Sequence, residues 1–326
     1  TKYNIGVESA WFDSSLSMNI DFFKERREDI LTNPKRYVLA AGAVGLPPYN
    51  FGIVENKGFE MELGWNSTIG KVNYYLKGIY AFNRNKVIEK SEAAKPYPYM
   101  YEAGLPIKQF IGYQYDGFFS SYDEIASSPQ QFGLTNLKPG DIKYKDINGD
   151  GIVDENDQAP IGYSTVPEMT YSLQLGASYK GFDVSVMFQG AARSSVYLYQ
   201  DLGWDNMTGN YYEEHINRWT PETAATATYP RFLQGSKESH QNYYLSDFWL
   251  KDGKYLRLKN VMISYTFDKK MLRKTPFSSL KIFASGFNLI TWDKLKKVDP
   301  EVAPSSNTGY FYPQQRQYNM GINVSF

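Results

Sequence analysis

The last nine residues of the chain alternate between apolar side chains and polar or small ones. The apolar positions are Tyr318, Met320, Ile322, Val324 and Phe326. A period of two predicts a β-strand whose two faces meet different environments. A soluble domain gains little from an apolar strand at a frayed terminus, whereas a transmembrane barrel needs its last strand to pair backbone groups in lipid. The pattern therefore predicts a membrane-spanning strand.

Similar alternation recurs in eight earlier segments. They comprise residues 16–22, 59–65, 72–82, 171–179, 182–188 and 261–267, and, with weaker alternation, residues 3–9 and 280–291. Many of these runs approach the length of about ten residues that a tilted strand needs to cross a bilayer. Strands of soluble proteins are typically nearer about five or six residues. The predicted fold is an antiparallel transmembrane β-barrel, to which this chain contributes nine strands.

The connections between these segments are of two sizes. Short ones lie at residues 67–70, 180–181 and 268–278, and long ones at about residues 29–49, 88–169, 192–253 and 292–315. Outer-membrane barrels place short turns on the periplasmic side and long loops outside. Successive connections of such a barrel must alternate between the periplasmic side and the outer side. They do so here only if residues 88–169 form one outer excursion, with residues 107–119 as β-structure above the membrane. We therefore expect large extracellular loops at about residues 88–169 and 192–253.

An odd number of strands does not close a bacterial barrel of the usual even count. We therefore expect residues 1–326 to form the C-terminal part of a larger barrel, in which the last strand pairs with a strand of an upstream segment. The chain begins at Thr1 without a signal peptide, which fits processing or a longer polypeptide. The alternative fold is a soluble β-sandwich, but sandwiches lack this loop asymmetry and usually carry polar outer faces.

Composition narrows the function classes. Acidic and basic residues balance at 35 each, so no basic excess points to nucleic acid. The absence of cysteine excludes disulfides, thiolate chemistry and cysteine metal sites. No run of 18 apolar residues exists, which excludes a membrane-spanning helix.

An ordered set of short motifs gives the chain a family resemblance. The motifs are Asn56-Lys57-Gly58-Phe59-Glu60, Asp146-Ile147-Asn148-Gly149-Asp150-Gly151, Pro160-Ile161-Gly162, Tyr179-Lys180-Gly181-Phe182-Asp183, Phe188-Gln189-Gly190 and the final Phe326. In this order they resemble the C-terminal part of the SusC/RagA-like TonB-dependent outer-membrane transporters of Bacteroidetes, from about Tyr3 onwards. Each motif alone is weak, and the ordered set carries the resemblance.

The resemblance implies an all-β fold, a plugged barrel of about 22 strands in the cell outer membrane, of which this chain holds the later strands. It implies active import of glycans or oligopeptides with a SusD-like lipoprotein on the outside. Energy would come from TonB, through a plug and a TonB box that have no counterpart in this sequence. The outward strand faces would contact membrane lipid.

The sharpest chemical pattern is a run of oxygen-bearing residues in the first predicted outer loop. Its members are Asp146, Asn148, Asp150, Ile152 through its carbonyl, Asp154 and Asp157. These residues match positions 1, 3, 5, 7, 9 and 12 of an EF-hand-type calcium loop, with Gly151 at the sharp turn. We predict a structural calcium site that stiffens the loop.

Two features of this segment depart from an EF-hand. The twelfth position carries Asp157 instead of a bidentate Glu, and Pro160 prevents a helix of useful length from following. The alternative is a turn without an ion, because Asn-Gly and Asp-Gly form turns in their own right.

Three tryptophans in the second long loop, Trp204, Trp219 and Trp249, are candidates for contact with a substrate or partner. Flat apolar rings stack on sugars while their polar edges reach water. The favoured explanation for each ring is packing within the loop or an interfacial girdle, which is commoner in barrels. Trp65, near a turn, is predicted to be a girdle residue.

Catalytic chemistry finds little support, and we expect no enzyme. His215 and His240 lie in the second long loop without a nucleophile motif, so both are expected at the surface. The chain lacks G-x-S-x-G, zinc spacing and a phosphate-cradling loop. The alternative functions are a calcium-stiffened surface β-protein, such as an adhesin, and a secreted carbohydrate-active enzyme, which would need a paired-carboxylate cleft.

Overall fold

Strands dominate the part of the chain that the computed structural model describes. The described residues are 1–34, 47–198, 203–205, 211–233, 240–295, 298–301 and 314–326. Parts of the predicted connections 29–49, 192–253 and 292–315 lie outside these residues. Within the described ranges, no helix is long and apolar enough to cross a membrane.

Nine antiparallel strands follow one another across a single large sheet. They are β1 (Lys2–Trp11), β2 (Leu16–Thr32), β3 (Tyr49–Ile69), β4 (Val72–Glu89), β11 (Met169–Tyr179), β12 (Phe182–Ala192), β15 (Tyr255–Thr266), β16 (Ser279–Asp293) and β17 (Gln317–Ser325). Shorter elements lie between them: β5 (Phe110–Gly112), β6 (Tyr115–Phe118), α1 (Tyr122–Ser127), β7 (Gln130–Gln131), β8 (Ile142–Tyr144), β9 (Ile152–Val153), β10 (Ala159–Ile161), β13 (Ser195–Tyr197), β14 (Leu250–Asp252) and α2 (Lys269–Leu272). All nine predicted strands are confirmed, and the fold is the all-β sheet of a partial barrel.

The register places the apolar residues of neighbouring strands on one face, here called the outward face. Phe22 pairs with Phe59 and Phe59 with Phe82, and their ring centroids are 6.0 and 6.2 Å apart. These three rings form the phenylalanine row. Large apolar side chains on the outward face are exposed, among them Ile5 at 71% and Met320 at 89%. An apolar face that no protein covers is suited to lipid contact.

All short turns lie at one end of the sheet. They join β1 to β2, β3 to β4, β11 to β12 and β15 to β16. The connections at the other end are long excursions, at residues 33–48, 90–168, 193–254 and 294–316. Because β4 pairs directly with β11, the whole stretch 90–168 is one excursion between neighbouring strands.

Strands β2, β3 and β4 are longer than the apolar pattern predicts. They contain 17, 21 and 18 residues and continue past the phenylalanine row towards the long excursions. Outward positions there are charged, and Lys24 of β2 forms a salt bridge of 2.8 Å with Glu55 of β3. Backbone pairing continues because it does not depend on lipid, whereas the outward apolar alternation does. The sequence pattern therefore ends before the strands do.

A charged side chain on the outward face tests lipid contact. Val184 of β12 is 40% exposed between Ala177 and Ile263 of the adjacent strands. Val184→Arg should lower the free energy of unfolding by about 2–4 kcal/mol if the position is near the membrane midplane. Urea unfolding in lipid vesicles measures the change. The matched control, Ser185→Arg on the inward face, should cost less, and equal losses for the two variants would contradict lipid contact.

Candidate functional site

The described parts of excursions 90–168 and 193–254 fold together at one end of the sheet. The backbone N–H of Tyr113 donates to the carbonyl of Leu245 at 2.9 Å, and the N–H of Tyr115 donates to the Asp247 carboxylate at 2.7 Å. Small two-stranded sheets pair β10 with β5, β6 with β8, β7 with β9 and β13 with β14. The described parts of the two excursions therefore form one folded body, here called the loop assembly.

An aromatic-rich core holds the loop assembly together. Its buried members are Tyr113, Ile142, Tyr144, Val153, Trp204, Tyr229, Tyr243 and Trp249. Residues from both excursions contribute to this core, so each excursion buries apolar surface of the other. Aromatic pairs such as Trp204 and Tyr243, whose centroids are 4.6 Å apart, add to the stabilisation from burial alone.

The structure separates the three candidate tryptophans. Trp204 and Trp249 are each 2% exposed, and the Nε1 of Trp249 donates to the Asn242 carbonyl at 2.7 Å. Their ring faces are covered by protein, so packing within the loop accounts for both. Trp219 is half-buried against Gly140 and keeps partial exposure. Contact of Trp219 with a substrate or partner stays a prediction.

A buried polar network joins the two excursions around Asp141, which is fully buried. The Arg231 guanidinium lies 2.7 Å from the Asp141 carboxylate, and the Asn242 amide donates to it at 3.0 Å. Asn242 also accepts from the backbone N–H of Ile142 at 2.8 Å. Each polar group therefore has a partner on the opposite excursion, as burial of polar groups requires.

Removal of the central carboxylate should open the loop assembly. Asp141→Ala leaves Arg231 without its buried partner, so we expect a loss of about 3–5 kcal/mol in local stability. Hydrogen–deuterium exchange of β8 amides reports that local opening free energy. Asp123→Ala, which removes an exposed carboxylate from α1 of the same excursion, is the control and should change exchange little. Unchanged exchange in Asp141→Ala would contradict this role.

A second buried cluster surrounds Asp205, which is 1% exposed. The Tyr243 hydroxyl donates to the Asp205 carboxylate, and the Tyr229 hydroxyl donates to the Gly203 carbonyl at 3.1 Å. Burial raises the pKa of both tyrosines, so both remain neutral donors.

The expectation that both histidines lie at the surface is wrong for His215. This ring is 2% exposed, because it fills space beside Tyr229 in the aromatic core. Its Nδ1 accepts from the Tyr212 N–H at 3.1 Å, which leaves Nε2 to donate to the Gly203 carbonyl at 3.3 Å. The ring is therefore a structural residue with both nitrogens in use.

His240 begins the short 3₁₀ turn that carries Asn242 into the buried network. Its Nδ1 accepts from the Asn242 N–H at 3.2 Å. Burial lowers the pKa of His240, with the nearby Asp141 carboxylate opposing this effect and Arg231 reinforcing it. A lowered pKa means that the unfolded state binds the proton more tightly, so stability falls as pH falls through the ordinary value of about 6.5.

Stability of the loop assembly should therefore decrease between pH 7.5 and 5.5. One such group contributes at most about 1.4 kcal/mol per pH unit. His240→Asn keeps a side-chain acceptor that can cap the turn, and the asparagine side chain does not titrate. This variant should therefore lose less stability between pH 7.5 and 5.5. Urea midpoints from tryptophan fluorescence at both pH values give the comparison. Identical pH dependence in the two proteins would exclude His240 as the titrating group.

The segment from Asp146 to Asp157 is closed by its own acidic side chains. The fully buried Asp157 carboxylate accepts from the N–H groups of Ile147 and Asp154, at 2.7 and 2.8 Å. The Asp146 carboxylate accepts from the N–H groups of Gly149 and Gly151, at 2.6 and 2.8 Å. Both glycines have positive φ, 76° and 87°, which permits the tight turn.

The remaining predicted ligands form local turns in the same segment. Asn148 accepts from the Asp150 N–H, and Asp150 accepts from the Ile152 N–H, both at 2.9 Å. Asp154 accepts from the Asn156 N–H at 2.7 Å. In the described part of the chain, no three Asp, Glu, His or Cys side chains are grouped to hold a metal ion. The calcium site stays a prediction.

Arg257 of β15 anchors the described part of the last excursion. Its guanidinium is 1% exposed and donates to both carboxylate oxygens of Asp299 at 2.8 Å and to Thr291 at 2.9 Å. Glu301 lies 3.1 Å from Arg257 and 3.0 Å from Lys259. Nη2 contacts Asp299, Nε contacts Thr291 and Nη1 contacts Glu301, so the guanidinium is fixed in orientation as well as position. This excursion is therefore tied to the large sheet.

Comparisons with known proteins agree with this fold. No protein-family model matches the chain. The chain is 25% identical over 347 residues to TonB-dependent receptor P3 of Formosa agariphila and 22% identical over 347 residues to TonB-dependent receptor SusC of Bacteroides thetaiotaomicron. These alignments cover 99% and 100% of this chain but 34% and 32% of the two relatives. The chain thus spans about a third of the length of the relatives that it matches.

Solved structures with a similar fold include the RagAB peptide transporter, with a TM-score of 0.75 and 21% identity over 100% of this chain and 35% of that one. The same importer in its closed-closed state gives a TM-score of 0.73, with 20% identity over 100% of this chain and 35% of that one. The sheet and its exposed apolar face define an outer-membrane β-barrel protein. Over almost its whole length the chain is similar in sequence to the SusC-type TonB-dependent receptors.

Proposed function

We propose that this chain forms part of the wall and mouth of an active, TonB-dependent outer-membrane importer. The observation that carries the proposal is the nine-stranded sheet with an exposed apolar face and all long excursions at one end. This asymmetry is typical of barrels whose long loops face the outside. The names of the relatives, which are receptors and transporters, support import over catalysis.

The sheet edges support a barrel with further strands. In the described residues, β1 and β17 are the two edges and do not pair with each other. Unpaired backbone N–H and C=O groups cost several kcal/mol each in hydrocarbon. We propose that both edges pair with other strands, which complete the cylinder and surround a plug.

The substrate class that we propose is a glycan or an oligopeptide, captured with a SusD-like lipoprotein over the loop assembly. The likeness to the RagAB peptide transporter supports a peptide substrate. The likeness to TonB-dependent receptor SusC supports TonB-dependent import but indicates no substrate. Excursions of this length are usually functional, and a folded loop assembly offers a stable partner surface.

Growth of a deletion strain tests the proposed import. Loss of the gene should abolish or slow growth on one class of defined oligosaccharides or oligopeptides and leave growth on monosaccharides or free amino acids unchanged. Complementation with the wild-type gene should restore growth. Growth of the deletion strain at wild-type rates on every polymer class would contradict nutrient import and favour an adhesin or a structural barrel.

We also propose that residues 146–157 bind one calcium ion, with Asp146, Asn148, Asp150, Asp154, Asp157 and the Ile152 carbonyl as ligands. The spacing and the two positive-φ glycines support the proposal. Each carboxylate oxygen has more than one lone pair, so an oxygen that accepts an N–H bond can still coordinate a metal. The ion would stiffen the loop, whose Val153 is already fixed in the aromatic core.

Calcium should protect residues 146–157 from proteolysis at about 10⁻⁴–10⁻³ M, the range of extracellular modules. Asp150→Asn keeps the side-chain shape and removes one charge, so this variant should need at least about tenfold more calcium, a difference of about 1.4 kcal/mol. Asp123→Asn, outside the segment, is the control. Equal protection in calcium and in EGTA would identify the segment as an ion-free turn.

A further inference from the structure

A row of basic side chains crosses three strands immediately beyond the phenylalanine row. Lys24 of β2 pairs with Lys57 of β3, and Lys57 pairs with Arg84 of β4. Each lies two residues beyond a ring of the phenylalanine row, so all three share its outward face. Lys86, two residues further along β4, is also exposed. These four residues are here called the basic stripe.

Acidic neighbours neutralise only part of the basic stripe. Lys24 pairs with Glu55 at 2.8 Å, and Arg84 makes a bidentate pair with Glu168 at 2.7 and 2.8 Å. Lys57 and Lys86 form no ion pair with any residue that the structure describes. Like charges directly opposite each other on adjacent strands are destabilising, so Lys57, which lies between Lys24 and Arg84, costs stability unless a further anion lies against it.

A cleft of about 550 Å³ opens beside the basic stripe. Lys57, Arg84 and Lys86 line it from the strands, and Gln109 and Tyr163 line it from the first excursion. Glu55 and Glu168 also line the cleft, but each is held by a salt bridge to a member of the stripe. The cleft therefore presents the two unpaired lysines to a ligand.

We propose that the basic stripe binds the phosphate groups of an anionic lipid in the leaflet next to the long excursions. The acyl chains of this lipid lie along the phenylalanine row and the apolar face below it. Position favours a lipid over a free anion, because the stripe is continuous with an exposed aromatic and apolar surface. Aromatic side chains at the level of lipid headgroups, with lysines reaching past them, are typical of membrane interfaces. The assignment of this leaflet to the outside rests on the proposed function.

Native mass spectrometry of the full-length protein in detergent, titrated with bis-phosphorylated lipid A, tests the proposal. Lys57→Gln combined with Lys86→Gln breaks no ion pair between described residues. At about 1 kcal/mol per basic residue, this double variant should bind about 30-fold more weakly. The matched control, Lys270→Gln with Lys274→Gln, removes two exposed lysines at the short-turn end and should bind like wild type.

Two further probes identify the ligand chemistry. Dephosphorylated lipid A should bind wild type about as weakly as bis-phosphorylated lipid A binds the double variant. Inorganic phosphate in millimolar excess should leave the lipid bound. Displacement by phosphate would show a free-anion site, and equal binding by wild type and the double variant would refute the stripe. Heat-modifiability on gels verifies that each variant is folded, and lipid binding can fail while import persists, or the reverse.

Discussion

Pairing of backbone N–H and C=O groups in hydrocarbon is the constraint on which the rest of this structure depends. It requires unbroken ladders. The nine strands of the large sheet, here called the wall, supply them with only local bulges, as between Met187 and Phe188. It also confines irregular backbone to the ends of the sheet, where water or protein satisfies polar groups. The separation of short turns from long excursions follows: one end carries the four short connections, one of which contains α2, and the other end carries the long excursions.

The loop assembly obeys the rules of a soluble domain, in contrast to the wall. Its apolar residues point inward, its core is aromatic, and its buried carboxylates at Asp141 and Asp205 have donors. The wall reverses this arrangement and exposes its apolar residues. Arg257 attaches the last excursion to the large sheet, since its buried guanidinium on β15 holds Asp299. One chain thus carries two opposite patterns of hydrophobic burial.

Alternation predicted every strand of the large sheet because an exposed apolar face on one side and a more polar face on the other impose a period of two. It did not predict the upper parts of β2, β3 and β4, where charged outward residues such as Lys57 end the contrast between faces. The network of Asp141, Arg231 and Asn242 was also not predictable, because Arg231 and Asn242 lie 90 and 101 positions from Asp141 and carry no periodic pattern. Arg257 was not predicted either, because it lies four residues before the alternating segment 261–267. The loop 146–157 was located by its spacing, because its turns are made by residues that are close together in the sequence.

The shared core of the two excursions has a consequence for how such proteins diversify. Asp141 and Asn242 belong to different loops but satisfy each other, so neither loop is an exchangeable module. A chimera that receives only one excursion from a relative would contain half of an aromatic core and an unmatched buried carboxylate. Exchange of residues 90–254 as a unit, with β11 and β12 between the excursions, keeps every such pair. Recombination is therefore expected to transfer the two loops together, and single substitutions to accumulate on their solvent surface.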